Sequence, residues 1–398
     1  MLPAVSTTGV GTAPWLLGPG FGAGAWVRLT GPGEAISLPR DAGPAQMAGM
    51  LKDARVFAAA VPKGGAVAGY MAYEMAAGLE GGIDFPPSPD SLPLMVMARF
   101  DRSERLGAVP FSDGLCPKVA AIPPDPPRAL YEDSVARVIN HILKGDIFQA
   151  NISRRQFAAF KGMAEDVALP LFRRLLAGGA APYAAFLPLE EGAVLSNSPE
   201  LFLKVEGRQV TAEPIKGTRP RGDTPVADER LASELAADEK ERAENIMITD
   251  LLRNDLAKVC EDHSIEEPVI CAVRTLPHVH HLYSRVSGQL REGLGPMDAL
   301  LAAFPCGSIT GAPKHEAMRI IAQEEGEGRG PYCGTIFYIP DEGPAIFSVP
   351  IRTGVLSRQG DGCRLDVRSG GGVTILSDPS REYEETVDKA YSFRAMTT

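Results

Sequence analysis

Three apolar runs near the C-terminal end of the chain follow one another with only short glycine-containing turns between them. The runs cover 333–340, 346–356 and 364–369. The turns are Asp341-Glu342-Gly343 and Gly360-Asp361-Gly362. Strands joined by tight turns pair antiparallel, whereas parallel strands need long crossovers. The spacing therefore predicts an antiparallel meander that ends at the triglycine Gly370-Gly371-Gly372.

Helix and strand patterns alternate over the rest of the chain. Apolar residues at helical spacing stop at Lys144-Gly145, a typical helix C-terminus, and residues 147–157 alternate as a half-buried strand. Residues 201–213 predict a hairpin and 228–260 predict one long helix. Asp378-Pro379 begins a final helix that is predicted to run to about Arg394. These elements do not repeat as βαβ units, so we predict an α+β fold rather than a doubly wound sheet.

A proline-rich segment, 122–128, separates two parts of the chain that differ in motif content. The chain has 398 residues, enough for two or three domains or for one large fused core. Nearly all chemically distinctive motifs follow this segment. We therefore predict an N-terminal region over 1–128 and a main body over 129–398.

The charge balance excludes two classes of partner. Lysine and arginine total 40 against 50 aspartate and glutamate, a formal net charge of −10, and the basic residues form no long block. Neither a nucleic acid nor an anionic membrane is therefore expected as the main partner. The six cysteines form no Cys-x-x-Cys pair, no apolar run reaches spanning length, and the N-terminus lacks a charged signal segment. These features predict a cytoplasmic protein.

Two predicted helices each carry a pair of glutamates three residues apart. The pairs are Glu241/Glu244 and Glu382/Glu385. Spacing of three places each pair on one helix face, and if the two faces met, four carboxylates would need a cation between them. Ligation by oxygen alone is typical of Mg²⁺, which keeps positions for water and for an anionic substrate. The alternative is two solvated helix faces, which is the commoner arrangement for such pairs.

A basic loop, Pro214-Ile-Lys-Gly-Thr-Arg-Pro-Arg-Gly222, follows the predicted hairpin. Its glycines would let backbone approach a ligand, and Arg219 and Arg221 can bind a carboxylate in a planar fork. Lys216 is a candidate nucleophile, but a free lysine amine has a pKa of about 10.4 and must lose its proton. The two arginines are candidates for the perturbing charge. A solvated turn is an equally acceptable interpretation.

Three further segments have more than one interpretation. Gly307-Ser-Ile-Thr-Gly-Ala-Pro-Lys314 looks like a phosphate loop, but its spacing is wrong and His315 follows the lysine, which leaves only an anion cradle at a helix start. The triglycine is either a carboxylate cradle or a tight turn. His278, His280 and His281 lack a metal-ligand spacing, so we do not assign them a metal.

Taken in order, these segments resemble the chorismate-utilising enzymes, and within them the aminodeoxychorismate synthase branch. The resemblance covers about residues 130 to 392, and the N-terminal third matches weakly, mainly through Gly64-Gly-Ala-Val-Ala-Gly-Tyr-Met-Ala-Tyr-Glu74. The matching segments are Gly145-Asp-Ile-Phe-Gln-Ala-Asn-Ile-Ser-Arg154, Ser198-Pro-Glu-Leu-Phe202, 214–222, Glu239-Lys-Glu-Arg-Ala-Glu244, Asp250-Leu-Leu-Arg-Asn-Asp-Leu256, His281-Leu-Tyr-Ser-Arg-Val286, 307–314, Arg329-Gly-Pro-Tyr-Cys-Gly334, Ser369-Gly-Gly-Gly372 and Glu382-Tyr-Glu-Glu-Thr386 with Lys389.

The resemblance implies a fold, a metal site and a substrate site. The implied fold is a large α+β body of packed antiparallel β-sheets flanked by helices. Glu244 and Glu385 are implied to bind Mg²⁺, with Glu241 and Glu382 beside them, and the ion is implied to hold the ring carboxylate of chorismate. The residues implied to bind the rest of the substrate are Gly217, Thr218, Ser308, Tyr332, Arg352, Gly370, Gly371, Gly372 and Lys389.

Four residues are implied to carry the reaction. Glu200 is implied to be the general acid that protonates the departing C4 hydroxyl, and Lys216 is implied to attack C2. Gln149 stands where isochorismate- and salicylate-forming relatives carry a lysine that activates water, which favours an amine nucleophile. His281 is implied to orient the substrate. Ammonia then attacks C4 and expels the lysine, giving 4-amino-4-deoxychorismate, the precursor of p-aminobenzoate and folate.

Two alternatives stay open. Anthranilate synthase component I, of tryptophan biosynthesis, carries alanine in place of Lys216, and the N-terminal region here shows no tryptophan-binding Leu-Leu-Glu-Ser motif. A non-catalytic chorismate- or nucleotide-binding module is the more distant alternative. For the formation of 4-amino-4-deoxychorismate, the resemblance implies that ammonia comes from a separate glutamine amidotransferase subunit, component II, because the chain leaves no room for a fused glutaminase.

Overall fold

Helices flank an extensive antiparallel sheet in this protein, so the predicted α+β class is confirmed. The computed structural model describes residues 10–11, 13–108, 117–276 and 279–398. The helices are α1 (Pro44–Ala58), α2 (Arg128–Lys144), α3 (Ala164–Leu175), α4 (Pro225–Ala237), α5 (Glu239–Ala257), α6 (Pro296–Ala303), α7 (Lys314–Glu325), α8 (Pro379–Lys389) and α9 (Tyr391–Thr397), with 3₁₀ turns at Tyr73–Gly78 and Gly307–Ile309.

The strands belong to one hydrogen-bonded sheet, in which neighbours pair antiparallel. They are β1 (Trp15–Gly22), β2 (Ala25–Leu38), β3 (Ala66–Met71), β4 (Met95–Leu106), β5 (Val119–Ala121), β6 (Gln149–Lys161), β7 (Tyr183–Leu189), β8 (Gly192–Ser198), β9 (Leu201–Glu206), β10 (Gln209–Ala212), β11 (Ile215–Pro220), β12 (Glu266–Thr275), β13 (Val279–Gln289), β14 (Gly311–Ala312), β15 (Thr335–Pro340), β16 (Ala345–Ser348), β17 (Thr353–Gln359) and β18 (Gly362–Val373).

The order of the strands interleaves distant parts of the chain. Successive neighbours are β6, β18, β17, β8, β7, β1, β2, β4, β3, β15, β16, β9, β10 and β13. β5 and β14 also pair with β6, and β11 and β12 also pair with β13. Because β1 pairs with β7 and β3 with β15, strands from 1–128 complete the sheet of 129–398. The boundary at 128 itself stays a prediction.

The sheet curls so that strands far apart in this order enclose a common core. Trp15, Phe100, Val194, Ile336 and Val355, from five different strands, belong to one buried cluster. The rings of Trp15 and Phe100 have centroids 5.0 Å apart. Helices α1, α5 and α6 cover one outer face, α3 and α9 cover another, and α2, α7 and α8 pack on β6 and β18. Helices therefore bury the outward faces of many strands.

Local signals in the sequence identified several element boundaries correctly. Helix α2 ends at Lys144, and Gly145 caps it in the left-handed conformation with φ +83°. The predicted hairpin is β9 and β10, with Val205 opposite Val210. Helix α8 begins after Asp378, whose side chain accepts a hydrogen bond from the backbone N–H of Arg381 over 2.9 Å. The predicted end near Arg394 is wrong, because the helix is interrupted at Ala390 and α9 follows it. A cap or a turn depends on a few neighbouring residues, so it can be predicted from the sequence.

The predicted C-terminal meander is wrong in its middle. The run 346–356 is two strands, β16 and β17, because Pro350 lacks a backbone N–H and Arg352 adopts a left-handed φ of +51°. β16 pairs with β9 and β17 with β8, rather than with each other. The triglycine is not a turn either, because it lies inside β18, where Gly372 pairs with Asn151 of β6.

Two further predictions need correction. The single helix predicted over 228–260 is broken at Asp238, which leaves the helical conformation (φ −67°, ψ 108°) and caps α5 by accepting a hydrogen bond from the backbone N–H of Glu241. The strand predicted as half-buried is buried on both faces from Gln149 to Arg154, because α2, α7 and α8 cover it. Its polar side chains therefore lie in the interior.

The described cysteines are consistent with the absence of a disulfide framework. Cys260, Cys271, Cys306, Cys333 and Cys363 are free and buried. The sixth, at position 116, and the histidine at position 278 lie outside the described residues. Within the described ranges, no helix combines the length and the apolar character needed to cross a membrane.

Candidate active site

A bulge in β11 orients the basic loop. Lys216 pairs with Leu282 and Thr218 with His281 of β13, so Gly217 is the extra residue between two paired positions. Gly217 has φ +73°, and a β-carbon there would lie 3.1 Å from the carboxylate of Glu241. Glycine is therefore required by both conformation and space. The bulge directs Lys216 and Thr218 toward different neighbours.

The amine of Lys216 lies near the backbone of two other predicted site segments. Its Nζ is 3.4 Å from the backbone oxygen of Ser308 in the 3₁₀ turn. It is also 3.6 Å from the point that a β-carbon on Gly372 would occupy. The lack of a side chain at Gly372 thus lets the amine lie close to the backbone of β18.

Gln149 approaches the same β-carbon position of Gly372 as the Lys216 amine does. Its Nε2 is 2.7 Å from the β-carbon position of Gly372. The side chain is fully buried, yet neither its amide nitrogen nor its amide oxygen has a hydrogen-bond partner in the protein. Because an unpaired buried amide is costly, this arrangement indicates a group that a polar ligand would satisfy. The position agrees with the predicted role of Gln149 near the nucleophile.

Glu200 is a buried carboxyl group with the properties of a general acid. It precedes β9 and is 7% exposed. The hydroxyl of Ser308 donates to its Oε1 over 2.5 Å. Burial raises the pKa of Glu200 above 4.5, and this effect outweighs the Ser308 hydrogen bond and the nearby charges of Lys216, Lys389 and Arg352. A protonated population therefore persists at higher pH than for a free glutamate.

His281 lies beside Thr218 rather than in a metal cluster. Its Nδ1 is 2.9 Å from the hydroxyl of Thr218, and burial lowers its pKa, which favours the neutral imidazole. The neighbouring His280 is 1% exposed and is bound by Asp228 and Thr275. His280 is therefore structural, and His281 is the one of the two that adjoins the predicted substrate residues.

Of the arginine and lysine predicted to bind the enolpyruvyl carboxylate, Lys389 contacts the triglycine and Arg352 acts on Glu200. The Nζ of Lys389 donates to the backbone oxygen of Gly370 over 2.9 Å. Arg352 is exposed, and its left-handed φ of +51° is a strained conformation for a residue with a side chain. Such strain is often found at functional positions, and here it projects a guanidinium whose charge acts on Glu200.

Tyr332 is not brought against the other predicted residues. Its side chain is 5% exposed and lies in the loop before β15, next to Cys333, which has φ +63°. Among the described contacts, none joins its side chain to Lys216 or Glu200. Burial raises the pKa of its hydroxyl. Contact between Tyr332 and a substrate therefore stays a prediction.

The four predicted metal ligands extend from α5 and α8. A β-carbon on Gly371 would lie 3.0 Å from Oε2 of Glu382 and 3.6 Å from Oε1 of Glu385, so the triglycine also forms the floor of this acidic region. Glu244 and Glu382 lie close enough for their charges to interact. Glu241 faces Gly217 and approaches Arg219, with 3.9 Å between Oε1 and Nη1.

The pKa values of these four carboxyls differ in direction. Burial raises the pKa of Glu241, Glu244 and Glu382, and neighbouring carboxylates add to the effect. Burial would also raise the pKa of Glu385, but the ammonium of Lys389, 2.6 Å away, together with the charges of Lys240 and Lys216, outweighs it and lowers the pKa. An added cation would therefore stabilise the ionised forms of Glu241, Glu244 and Glu382 more than that of Glu385.

The donor chemistry fits Mg²⁺ without forming a closed cage. Over the described ranges, no three acidic, histidine or cysteine side chains converge closely enough to enclose an ion. Mg²⁺ commonly uses one or two carboxylates and takes its other ligands from water and substrate. The carboxylates of Glu241, Glu244 and Glu382 are destabilised by burial, and Gly371 lies beside Glu382 without a side chain of its own. This arrangement can supply the one or two carboxylate ligands that Mg²⁺ requires.

The basic loop does not direct its arginines toward a ligand. Arg221 forms a two-pronged ion pair with Asp228, with both N···O distances 2.7 Å. Arg219 donates to Asp238 over 2.8 Å. Of the two alternatives left open from the sequence, these contacts favour the one without a ligand, because the planar fork of Arg221 is directed at a protein carboxylate.

Two charged residues that support the site were not recognised from the sequence. Arg329 is 3% exposed and donates to the backbone oxygens of Ile309 and Asn151, so it ties the Ser308 turn to β6. Lys314 is 8% exposed and donates to Asp255 and to the backbone oxygen of Ala303. Both residues lie in glycine-containing motifs. A single charged residue in such a motif was the only sequence feature that could have indicated a supporting role.

A buried glutamate in the 3₁₀ turn Tyr73–Gly78 holds the loop that carries Tyr332. The carboxylate of Glu74 is 3% exposed and accepts hydrogen bonds from the backbone N–H groups of Arg329 and Gly330. Burial raises its pKa from 4.5 to about 7 despite these bonds. The native protein therefore binds this proton more tightly than the unfolded chain does.

We expect this carboxyl to make stability fall as the pH rises from 4.5 to about 7. Its contribution is greatest at low pH, because the folded pKa lies above the unfolded value. Glu74→Gln cannot titrate, so its free energy of unfolding relative to wild type should increase by up to about 3 kcal/mol between pH 4 and pH 8. Urea denaturation at the two pH values measures this difference. The control is Glu229→Gln, which replaces an exposed glutamate. An equal difference at both pH values would contradict the assignment.

The fold and the site together define a class of protein. It is a large antiparallel α+β protein in which Lys216, the buried acid Glu200 and the acidic faces of α5 and α8 lie around the triglycine of β18. The charges of Lys216, Lys389 and Arg352 make this region suited to a small anion even though the chain carries a net charge of −10.

Comparison with known proteins identifies the family. The sequence profile of the chorismate binding enzymes matches residues 115–395. The chain belongs to this family. It is 40% identical over 312 residues to anthranilate synthase component 1 of Streptomyces coelicolor, covering 76% of this chain and 59% of the relative. It is 42% identical over 262 residues to aminodeoxychorismate synthase component 1 of Salmonella typhimurium, covering 66% and 56%.

The structural comparison agrees with the family. The crystal structure of anthranilate synthase component I from Streptococcus pneumoniae TIGR4 superposes with a TM-score of 0.76 at 26% identity, covering 94% of this chain and 92% of that one. The chain thus spans nearly all of this solved relative, but only about half the length of the curated relatives that it matches, 59% and 56% for the two above.

Proposed function

We propose that the protein converts chorismate and ammonia to 4-amino-4-deoxychorismate, as an aminodeoxychorismate synthase component I. The family has relatives of both aminating kinds at about 40% identity, so overall similarity does not choose between them. The proposal depends on Lys216, which the resemblance associates with the aminodeoxychorismate branch.

The observation that carries the proposal is the position of the Lys216 amine. Its Nζ is 3.4 Å from the backbone oxygen of Ser308, and the hydroxyl of the same serine donates to Glu200. The amine and the acid thus share a neighbour. This closeness fits a displacement in which one group attacks while the other protonates the leaving hydroxyl.

The proposed chemistry has two displacements. The Lys216 amine forms a bond to C2, the ring double bonds shift, and the C4–oxygen bond breaks as Glu200 donates its proton, so that water leaves. The proton of the attacking amine returns to Glu200. Ammonia then bonds to C4, the double bonds shift back, and the C2–nitrogen bond breaks as Glu200 protonates the departing lysine nitrogen. The new amine at C4 then loses a proton to the Glu200 carboxylate, which restores both the lysine and the acid.

Other residues would position the reactants. The buried amide of Gln149 lacks a partner and faces the same β-carbon position of Gly372 as the amine does, so it is placed to bind a polar ligand there. The exposed guanidinium of Arg352 and the ammonium of Lys389 supply positive charge for a carboxylate. His281, held by Thr218, would orient the substrate in its neutral form.

A divalent cation and a second protein complete the proposal. Mg²⁺, when bound, would supply the positive charge that orients the ring carboxylate, with Glu244 and Glu385 as ligands and Glu241 and Glu382 beside them. The relatives are named as component 1 of their synthases. We therefore include a glutamine amidotransferase, component II, as the source of ammonia.

Anthranilate formation is the second candidate. The observation behind it is the longer match to the Streptomyces coelicolor anthranilate synthase component 1, over 312 residues against 262 for the Salmonella typhimurium relative. Both candidates need the same acid and the same acidic helices. They differ in whether pyruvate is eliminated from the ring.

One assay separates the candidates. The purified protein is incubated with chorismate, Mg²⁺ and ammonium, and the products are identified by mass spectrometry. We expect 4-amino-4-deoxychorismate without pyruvate. Anthranilate together with pyruvate would replace the proposal with the second candidate, and tight chorismate binding without turnover would indicate a binding module instead.

Replacing Glu385 tests the metal assignment. Among the four carboxyls, Glu385 has a lowered pKa and so remains ionised most readily. In Glu385→Gln we expect the Mg²⁺ concentration for half-maximal activity to rise by about tenfold or more. The neighbouring Glu384, whose side chain is 60% exposed, provides the control Glu384→Gln. An unchanged magnesium dependence in Glu385→Gln would remove that residue from the ligand set.

A further inference from the structure

Lys240 places a positive charge between the two acidic helices. Its Nζ lies 3.9 Å from Oε1 of Glu244 on α5 and 3.9 Å from Oε1 of Glu382 on α8. The two carboxylates are well buried, with 11% and 5% of their side chains exposed, whereas the lysine side chain is 41% exposed. The ammonium therefore reaches inward from a partly solvated stem.

Stabilisation of α5 does not explain this lysine. Lys240 lies in the first turn of the helix, where the positive end of the helix dipole disfavours a cation. Its partner Glu244 is four residues later, and a lysine that precedes a glutamate is the less favourable orientation of such a pair. The contact that local helix energetics does not account for is the one across to Glu382.

We infer that Lys240 is a tethered competitor of the divalent cation. In the absence of the ion, its ammonium partly neutralises Glu244 and Glu382, and it must withdraw when the ion enters. The length and exposure of the side chain allow it to swing into water without disturbing either helix. This inference rests on the magnesium site of the proposed function and deepens it, because it makes the affinity for the ion a property that Lys240 lowers.

Direct measurement of ion binding tests the inference. Isothermal titration calorimetry with Mg²⁺ alone, repeated with Mn²⁺ by electron paramagnetic resonance, is carried out on wild type, Lys240→Gln and Lys240→Arg. The control is Lys204→Gln, which removes another partly exposed lysine that pairs with Glu206 over 2.8 Å. We expect Lys240→Gln to bind the ion about tenfold more tightly, a change of about 1.4 kcal/mol. Lys240→Arg and Lys204→Gln should remain near the wild-type affinity.

The outcomes distinguish this inference from the proposed function. Equal or weaker binding in Lys240→Gln overturns the competitor role while the metal site stands. If neither the wild type nor any variant binds Mg²⁺ or Mn²⁺, both the inference and the metal assignment are overturned. Tighter binding in Lys240→Gln supports the inference even if the wild type fails to aminate chorismate, in which case only the proposed reaction is lost.

Discussion

Lys216→Ala is expected to lower the rate of 4-amino-4-deoxychorismate formation by at least about a thousandfold. The amine at this position is the proposed nucleophile, and alanine has no group that can form or release the bond at C2. The remaining side chains would still bind chorismate, because Lys216 makes one long hydrogen bond to the backbone of Ser308. The loss should therefore appear in kcat more than in KM.

The matched control is Lys204→Ala, which removes a lysine of β9 that pairs with Glu206. Single-turnover kinetics with product detection by mass spectrometry measures the step directly. Trapping of a substrate adduct on Lys216 in the wild type, and its absence in the variant, would give independent support. Turnover at the wild-type rate in Lys216→Ala would exclude covalent catalysis by this residue.

Glu200→Gln is expected to lower kcat by about a hundredfold to ten-thousandfold. Glutamine keeps the size of the side chain and can still accept the Ser308 hydrogen bond, but it cannot donate a proton to the leaving hydroxyl. The active form of the wild type is the protonated acid. Because burial raises the pKa of Glu200 above 4.5, activity that depends on it should persist above pH 4.5 and decline as the pH passes through the raised value.

A pH profile of kcat checks this assignment. The descending limb due to Glu200 should be absent in Glu200→Gln. Ser308→Ala provides a sharper comparison, because the Ser308 hydroxyl lowers the pKa of Glu200, and its removal should move the limb to higher pH. A profile of unchanged shape in both variants would show that Glu200 is not the acid.

The C-terminal helix and the β9–β10 hairpin were predictable from the sequence, and the reason is local. Asp378 caps α8 through a contact three residues away, and the hairpin turn joins residues that are close along the chain. The long helix was predicted wrongly for a related reason. Its apolar periodicity continues across Asp238, so the pattern gave no sign of the break that the N-cap of α5 requires.

The candidate site was predictable as a set of residues but not as an arrangement. The resemblance named Lys216, Glu200 and Gln149, yet it did not indicate that the amide of Gln149 would be buried without a partner. It also left Arg219 and Arg221 as possible ligands for a substrate. Their pairing with Asp238 and Asp228 depends on how α4 and α5 pack against β11, which periodicity does not encode.

The sequence by itself determined the end of α2, the cap at the start of α8, the β9–β10 turn, the α+β class and the chemical types available to the site, because these depend on neighbours within a few residues or on motif identity. Only the tertiary structure decided which strands pair, where the triglycine lies, and that Lys240 bridges Glu244 and Glu382. The contact between Glu200 and Ser308 joins residues 108 positions apart. Such contacts are set by the packing of the whole sheet and its helices, and the free energy that fixes them is not a property of any single segment.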